Sequence, residues 1–195
     1  MKVSHKKIIN NIRRDILVLC KDQDWDWKNH ICAVVVHSKI LAKEYSADEE
    51  VCEIAAWLHD IKKLRGESEL HHLRGAKEAS EILKKHNYPD DKITAVTHAI
   101  ISHSQDSKYI PHTIEAKVVS CADALSHFDN FLALTDHVFR RKKMSLNEGN
   151  VWLCKKYNAC WEKLKQLPLA QEKAHAKYSA IMDVLKSDRT YTNSH

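Results

Sequence analysis

His59 and Asp60 stand side by side, directly after the apolar run 54–58. A helix that is buried along its length and ends in this pair presents an imidazole nitrogen and a carboxylate oxygen together. These donors suit Mn, Fe, Zn, Ni or Mg to differing degrees, and a carboxylate can also bridge two ions. Helix capping is the alternative role for the isolated pair, although Asp60 would then oppose the helix dipole.

Two more residues extend this pair into a candidate cluster. His30 lies near the start of a very apolar helix. Because consecutive antiparallel helices place the start of one beside the end of the next, we expect His30 to meet His59 and Asp60. Asp123 is an acidic residue in the otherwise apolar segment 118–125. A buried carboxylate without a partner is costly, so a metal ion, a salt bridge or an exposed position must account for Asp123.

The elements that must position these residues are predicted to be helices. Only three glycines and three prolines punctuate the chain, and no segment shows the alternation of a strand. A first helix is marked by Ile8, Ile12, Ile16 and Leu19, and further helices are predicted over about 26–45, 49–60, 69–85, 89–101, 113–125, 128–139, 147–166 and 169–186. We expect an all-α fold with one domain over 1–195.

Three local features refine this prediction. Residues 62–68 are predicted to form a polar loop. Residues 33–36 are apolar on every side, which predicts a central helix. The inward positions of that helix are predicted to be Ile31, Val34, Val35, Ser38, Leu41 and Ala42.

The composition is that of a soluble globular protein, with 44% apolar and 29% charged residues. No apolar run has the length of a membrane span, and we see no signal peptide. Six cysteines without disulfide spacing indicate free thiols, so we expect a cytoplasmic protein. The net charge of +5 indicates solvated helix faces or an attraction for phosphates. Basic residues do not alternate with aromatics, so nucleic acid is not an expected partner.

Five ordered pieces of sequence are more specific together than any single motif. They are His30 with Leu41-Ala42, Ala55 to Ile61, His71 with Gly75-Ala76, Ala99 to Ser104, and Glu115 to Val118 with Ala122-Asp123. In this order, over about 26–128, the chain resembles the HD-domain superfamily of metal-dependent phosphohydrolases. The last two pieces are similar to its small bacterial subfamily, which has nucleotide-directed members.

The resemblance implies a fold and a metal centre. The fold would be an HD-domain helical bundle over about 26–128, with a helical extension over about 129–187. A divalent ion (Mn, Mg, Fe, Co, Ni or Zn), with one or two ions per chain, would be held by four ligands: His30, His59, Asp60 and Asp123.

The chain also departs from the subfamily pattern. Lys62 stands where a small glycine usually follows the His-Asp-Ile sequence, although the next lysine is retained as Lys63. Around Asp123 the subfamily often has Asp-Ala-Asp-Arg-Leu, whereas this chain has Cys121 and Ala124 in place of the acidic and basic residues. These changes concern the substrate contacts and leave the four ligands in place.

The resemblance also implies that the metal lies in a groove, and four further histidines are candidates for lining this metal-binding groove. His71 matches a position that can bind a second ion in two-metal relatives, and His72 is the alternative if the register slips by one. His98 and His103 are five residues apart on one helix, so they point about 140° from each other. We favour His103 as the groove residue and His98 as a core or cap histidine.

The expected reaction is hydrolysis at phosphorus. A divalent ion lowers the pKa of a bound water and polarises a phosphoryl oxygen. Asp60 would orient the water, and Lys63 and His103 complete the predicted catalytic set. The predicted substrate contacts are Lys62, Lys63, Arg65 and His71. The alternative for the predicted loop 62–68 is a solvated turn that makes no substrate contact.

The expected partner is a small phosphorylated substrate, a nucleotide or another phosphate ester or anhydride. For the C-terminal helices three roles are open: packing into the core, covering the groove that holds the metal, or forming a homodimer contact. Two other functions stay open. A di-iron oxygenase would need His71 and His98 or His103 as ligands. A non-catalytic module that binds a nucleotide or a protein would fit the changed segment around Asp123.

Overall fold

The computed structural model describes residues 5–21, 27–104 and 108–190, and these ranges are helical almost throughout, with no strand among them. The helices are α1 (His5–Leu19), α2 (Trp27–Glu44), α3 (Glu49–Leu58), α4 (Ile61–Leu64), α5 (His71–Lys85), α6 (Asp90–Ser102), α7 (Ile114–Asp129), α8 (Phe131–Asp136), α9 (Leu146–Leu164) and α10 (Pro168–Thr190), with a π-helical turn at His137–Arg141 between α8 and α9. The all-α prediction is confirmed.

The short helix α4 covers the first three residues of the segment 62–68 that was predicted to be a polar loop, so that prediction is wrong for 62–64. Its apolar residues, Ile61 and Leu64, are both buried. The amide of Leu64 donates to the carbonyl of Asp60 at 3.0 Å. Two apolar residues three positions apart tie this single turn to the core, although its other residues are lysines.

The predicted helix over 128–139 is interrupted in the structure. Asn130 separates α7 from α8 with φ −102° and ψ 35°. Its side-chain amide donates to the carbonyl of Ser126 at 2.9 Å. Asparagine side chains that bond to the backbone in this way compete with the helical ladder, which explains the break.

Helix α2 is buried on one side only. All six residues predicted to face inward are buried. Val36, however, is 54% exposed, so the central position that residues 33–36 predicted for this helix is wrong on the side of Val36.

A polar network fixes the turn between α2 and α3. The carboxylate of Asp48 accepts hydrogen bonds from the amides of Glu50 and Val51, at 3.0 and 3.1 Å, and so caps α3. Lys92 of α6 lies 3.0 Å from the same carboxylate. The amide of Asp48 donates to Glu115 of α7 at 3.2 Å. These contacts hold the antiparallel pair that carries His30 and His59.

The chain divides into two compact units, 1–123 and 124–195, with the boundary inside α7. The first unit holds α1 to α6 and a core that extends from Ile8 to Ala122. The organisation as a single domain over 1–195 stays a prediction.

The second unit is built around the packing of α9 on α10. The rings of Trp161 and Tyr178 stack with centroids 4.4 Å apart. The side chain of Asn150 donates to the carbonyl of Leu185 at 2.9 Å. A methyl group on Gly149 would lie 2.2 Å from the ring of Phe139, so this position admits no larger residue without a shift. Leu164 and Leu167 are buried, in agreement with core packing of these helices.

Two predictions drawn from composition concern the environment of the protein. The six cysteines are free thiols, as predicted. Within 5–21, 27–104 and 108–190, no helix combines the length and the apolar character that crossing a bilayer requires. The cytoplasmic location stays a prediction.

Candidate metal centre

The start of α2 and the end of α3 bring His30, His59 and Asp60 together, as their antiparallel arrangement predicts. Nε2 of His59 lies 3.3 Å from Nε2 of His30 and 3.5 Å from Oδ2 of Asp60. The same Oδ2 lies 3.7 Å from Nε2 of His30. None of the three residues is more than 2% exposed. The α2–α3 pair therefore forms a buried group of three donors.

Asp123 of α7 belongs to the same cluster. Its Oδ1 lies 3.7 Å from Nε2 of His30 and 3.9 Å from Nε2 of His59. Its side chain is only 9% exposed, which excludes the surface position considered from sequence. All four residues predicted as primary ligands thus lie together in the interior.

Asp60 owes its position to the junction between α3 and α4. It precedes α4, whose single turn brings Lys63 back over the carboxylate. Nζ of Lys63 lies 3.0 Å from Oδ1 and donates to Oδ2 at 3.2 Å. The Lys63 side chain is 30% exposed, so it connects the buried carboxylate to solvent.

A second pair of histidines faces the other oxygen of Asp60. Nε2 of His71, the first residue of α5, lies 3.6 Å from Oδ1. Nε2 of His103, which follows α6, lies 3.5 Å from the same atom. Asp60 is therefore shared by two groups of donors, one with His30 and His59 and one with His71 and His103.

Backbone carbonyls set the tautomer of three of these histidines. Each Nδ1 lies within hydrogen-bond distance of the carbonyl oxygen three residues earlier: His59 with Ala56 (2.8 Å), His71 with Ser68 (3.1 Å) and His103 with Ile100 (2.6 Å). Because a carbonyl only accepts, Nδ1 carries the hydrogen and Nε2 presents a lone pair to the cluster. Imidazoles oriented in this way are ready to bind a metal.

The protonation states also suit a cation. Burial lowers the pKa of His59 to about 3. Burial and then the ammonium of Lys63 lower the pKa of His71 to about 4. Burial alone would raise the pKa of Asp60, but Lys63 and the neighbouring histidines hold it well below its usual range. At neutral pH His59 and His71 are neutral imidazoles and Asp60 is an ionised carboxylate, which are the forms that bind metals.

Three observations test whether these residues fit a divalent ion. Nε2 of His71 is buried and makes no hydrogen bond, although it lies 3.6 Å from Asp60. Ligand bonds of about 2.1 Å to a four-coordinate ion place the donors about 3.4 Å apart, close to the 3.3 and 3.5 Å separations around His59. Burying the carboxylates of Asp60 and Asp123 together is costly, and a cation offsets that cost. The residues present fit the ion.

Two of the predicted substrate contacts have partners that sequence reasoning did not single out. Nζ of Lys62 lies 2.9 Å from Glu78 and 3.2 Å from Glu67. Nε of Arg65 donates to Glu78 at 3.0 Å. Glu78 stands 13 residues after Arg65 on another helix, and no spacing rule links them. The roles of Lys62 and Arg65 in binding substrate stay a prediction.

The four further histidines considered from sequence, 71, 72, 98 and 103, occupy different places in the structure. His98 lies away from the cluster, where Nε2 accepts a hydrogen bond from the amide of His112 at 3.1 Å and the two rings stack. His72 is buried beside His71, with ring centroids 5.4 Å apart. Only His71 and His103 of these four join Asp60 in a metal-type group among the described residues. Their placement agrees with the choice made from sequence.

Comparison with known proteins gives one family and two solved structures. Residues 27–127 match the family described as HD domain. The crystal structure of Bacillus subtilis YpgQ is similar, with a TM-score of 0.70 and 18% sequence identity over 98% of this chain and 99% of that chain. A predicted HD superfamily hydrolase from an uncultured Thermotogales bacterium is similar with a TM-score of 0.50 and 20% identity, over 89% of this chain and 92% of that chain. At these identities the two structures support the fold.

Proposed function

The chain belongs to the HD-domain family, and from this premise we propose that it is a metal-dependent phosphohydrolase. The proposed substrate is a nucleotide or another small phosphate ester or anhydride. We further propose that the protein acts in the cytoplasm and forms a homodimer. The family membership covers the segment that contains all the residues of the cluster.

The position of Asp60 is the observation that carries the proposal. Its Oδ2 faces His30 and His59, and its Oδ1 faces His71 and His103. We propose that one divalent ion is held by His30, His59, Asp60 and Asp123. A second ion would be held by Asp60, His71 and His103. A carboxylate can serve two ions in this way because its oxygens point to different sides.

Each side chain then has a distinct task in hydrolysis. A bound divalent ion supplies a lowered water pKa and polarises a phosphoryl oxygen. The ionised carboxylate of Asp60 accepts a hydrogen bond from the attacking water and orients it. Lys63 donates to a phosphoryl oxygen and offsets the charge that develops there. The carbonyl of Ile100 holds Nδ1 of His103 so that Nε2 faces Asp60, and we propose that His103 binds metal there.

The proposal is tested by phosphate release from a panel of nucleotides and simple phosphate esters, with added Mn, Mg, Co or Fe. The variant Asp60→Asn keeps the shape of the side chain and removes its charge. We expect its turnover to fall by more than about 100-fold, since even outer-shell changes at metal sites cost 10–100-fold. Asp91→Asn, an exposed position on α6, is the matched control and should retain wild-type turnover.

The outcomes separate the functions considered from sequence. Turnover in the wild type and in Asp91→Asn, but not in Asp60→Asn, supports the phosphohydrolase. Wild-type protein that binds metal and hydrolyses none of these compounds would favour a non-catalytic module. Such a module would agree with Cys121, which is fully buried where the subfamily often has an acidic residue.

The second pair of histidines also favours a di-iron oxygenase as a second candidate. That function needs two ions in one site, and His71 and His103 both approach Asp60. Protein loaded with Fe(II) and exposed to dioxygen would then develop a visible absorption band and consume dioxygen with an organic phosphate or alcohol. A colourless iron-loaded protein that releases phosphate excludes this candidate.

A further inference from the structure

A groove runs between α1 and α5 on the first unit, with a volume of about 710 Å³. Its floor is apolar and comes from Ile12 and Ile16 of α1 together with Leu58 and Ile61. These four residues are almost fully buried, and the half-buried Leu19 and Ile82, which also line the groove, present the apolar surface that a ligand can reach. The residues that line the groove include none of the metal cluster. The groove and the metal cluster are therefore lined by different residues of this unit.

The rim of the groove carries an excess of positive charge. Five basic and three acidic side chains line it. Lys77 and Lys85 are exposed members of the basic set on α5. Lys62 lies deeper, with its side chain 19% exposed, whereas Arg65 is exposed; both are paired with Glu78, which is 17% exposed. Glu78 thus forms ion pairs with two of the basic side chains that line the groove.

The turn of α4 separates this groove from the metal cluster. Lys62 lines the groove, whereas the adjacent Lys63 lies on Asp60. Adjacent residues on a helix point about 100° apart, so one short helix contributes to both places. Lys62 therefore faces the groove, and Lys63 faces the metal cluster.

We propose that the groove is a second ligand site, for a small organic phosphate that has an apolar or aromatic part. The apolar floor accepts that part, and Lys62, Arg65, Lys77 and Lys85 bind the phosphates. The volume lies within the 300–1,000 Å³ that is common for small-molecule sites. Binding of the phosphate displaces Glu78 from Lys62 and Arg65. This site is independent of the proposed hydrolase function.

The test uses mant-ATP, a fluorescent nucleotide, titrated into full-length protein in EDTA, so that no metal supports binding at the cluster. We expect Lys77→Glu/Lys85→Glu to weaken binding by at least about tenfold, because two attractive charges become repulsive. Lys84→Glu changes the charge of an exposed residue on the same helix and should leave binding within about twofold. Inorganic triphosphate should compete, but more weakly than ATP, since it lacks the aromatic part.

The direction in which Glu78→Gln changes the affinity for mant-ATP distinguishes the proposal from a purely structural role of Glu78. If Glu78 competes with the ligand for Lys62 and Arg65, removing its charge should tighten mant-ATP binding by several fold. A purely structural role of Glu78 predicts unchanged or weaker binding. The proposal is overturned if metal-free wild type does not bind mant-ATP, if the double variant binds like wild type, or if Glu78→Gln leaves binding unchanged or weakens it. Phosphate release and metal content, measured on the same preparations, report separately on the hydrolase proposal.

Discussion

At the scale of single residues, Asp60 belongs both to the donor group with His30 and His59 and to the one with His71 and His103. It contacts Lys63 directly and lies within 3.7 Å of four histidines. The meeting of His30 with His59 and Asp60 could be predicted from the antiparallel pairing of two helices, whereas Asp123 was assigned as a ligand only through the resemblance to the HD-domain superfamily. That Glu78 would engage Lys62 and Arg65 could not be predicted, because this contact depends on how α5 packs beside α4.

Lys63 provides the first prediction at this scale. Lys63→Gln should lower the turnover of phosphate substrates on the order of 100-fold, since one charge-stabilising donor is lost. Metal content should stay at the wild-type value because lysine is not a ligand. Steady-state kinetics and elemental analysis on one preparation check both statements. Lys84→Gln serves as the exposed control, and equal turnover in both variants would remove Lys63 from the mechanism.

The second prediction concerns the pair of histidines at Oδ1 of Asp60. The double variant His71→Ala/His103→Ala should bind one divalent ion where the wild type binds two. The ligands around Oδ2, namely His30, His59 and Asp123, remain in place. Titration with Mn followed by electron paramagnetic resonance counts the free ion at each step. Two tightly bound ions in the double variant would contradict the assignment.

At the scale of elements, the longer helices could be predicted from their periodicity, but two short features could not. Helix α4 has four residues, too few for a periodic signal, and its lysines suggest a loop. The break at Asn130 depends on a side chain that bonds back to Ser126, and asparagine alone does not specify that contact. Local packing therefore decided the two places where the predicted helix pattern was wrong.

The cap of α3 provides a prediction about pH. Burial alone would raise the pKa of Asp48, but Lys92 and the α3 amides bring it below its usual value. A lowered pKa stabilises the fold above the unfolded-state value of about 4, and the contribution disappears as pH falls through the folded-state pKa. Asp48→Ala should cost about 1 kcal/mol at pH 7. The difference from wild type should shrink below pH 4.

Urea unfolding of wild type and Asp48→Ala at several pH values measures this difference. Glu49→Ala changes an exposed acidic neighbour that makes no cap bond in the structure, and it controls for the lost charge. A difference that grows as the solution becomes more acidic would show that Asp48 does not act through its ionised cap.

At the scale of the whole molecule, the metal centre involves four helices and two connecting segments of the first unit. His30 and Asp123 are 93 positions apart, yet their side chains lie 3.7 Å from each other. An ion that joins such distant parts binds the folded unit and not the unfolded chain. The stability of the first unit should therefore depend on the metal.

Saturating metal at about 100 times its dissociation constant should stabilise the fold by about 2.7 kcal/mol. For a chain of this size that corresponds to a rise in Tm of roughly 5–10 °C. Calorimetry in EDTA and with Mn measures the shift. If the two units unfold separately, only the transition of the unit that ends at Asp123 should move. A shift confined to the other transition would place the metal elsewhere.

Metal content tests the central claim most directly. Wild type, Asp60→Ala and the exposed control Asp91→Ala are purified side by side without affinity tags that bind metal, loaded with Mn, desalted and subjected to elemental analysis. We predict about two ions per chain in wild type and control, and less than about a tenth of an ion in Asp60→Ala. Equal metal in all three proteins, or none in the wild type, would contradict a metal centre at His30, His59, Asp60 and Asp123.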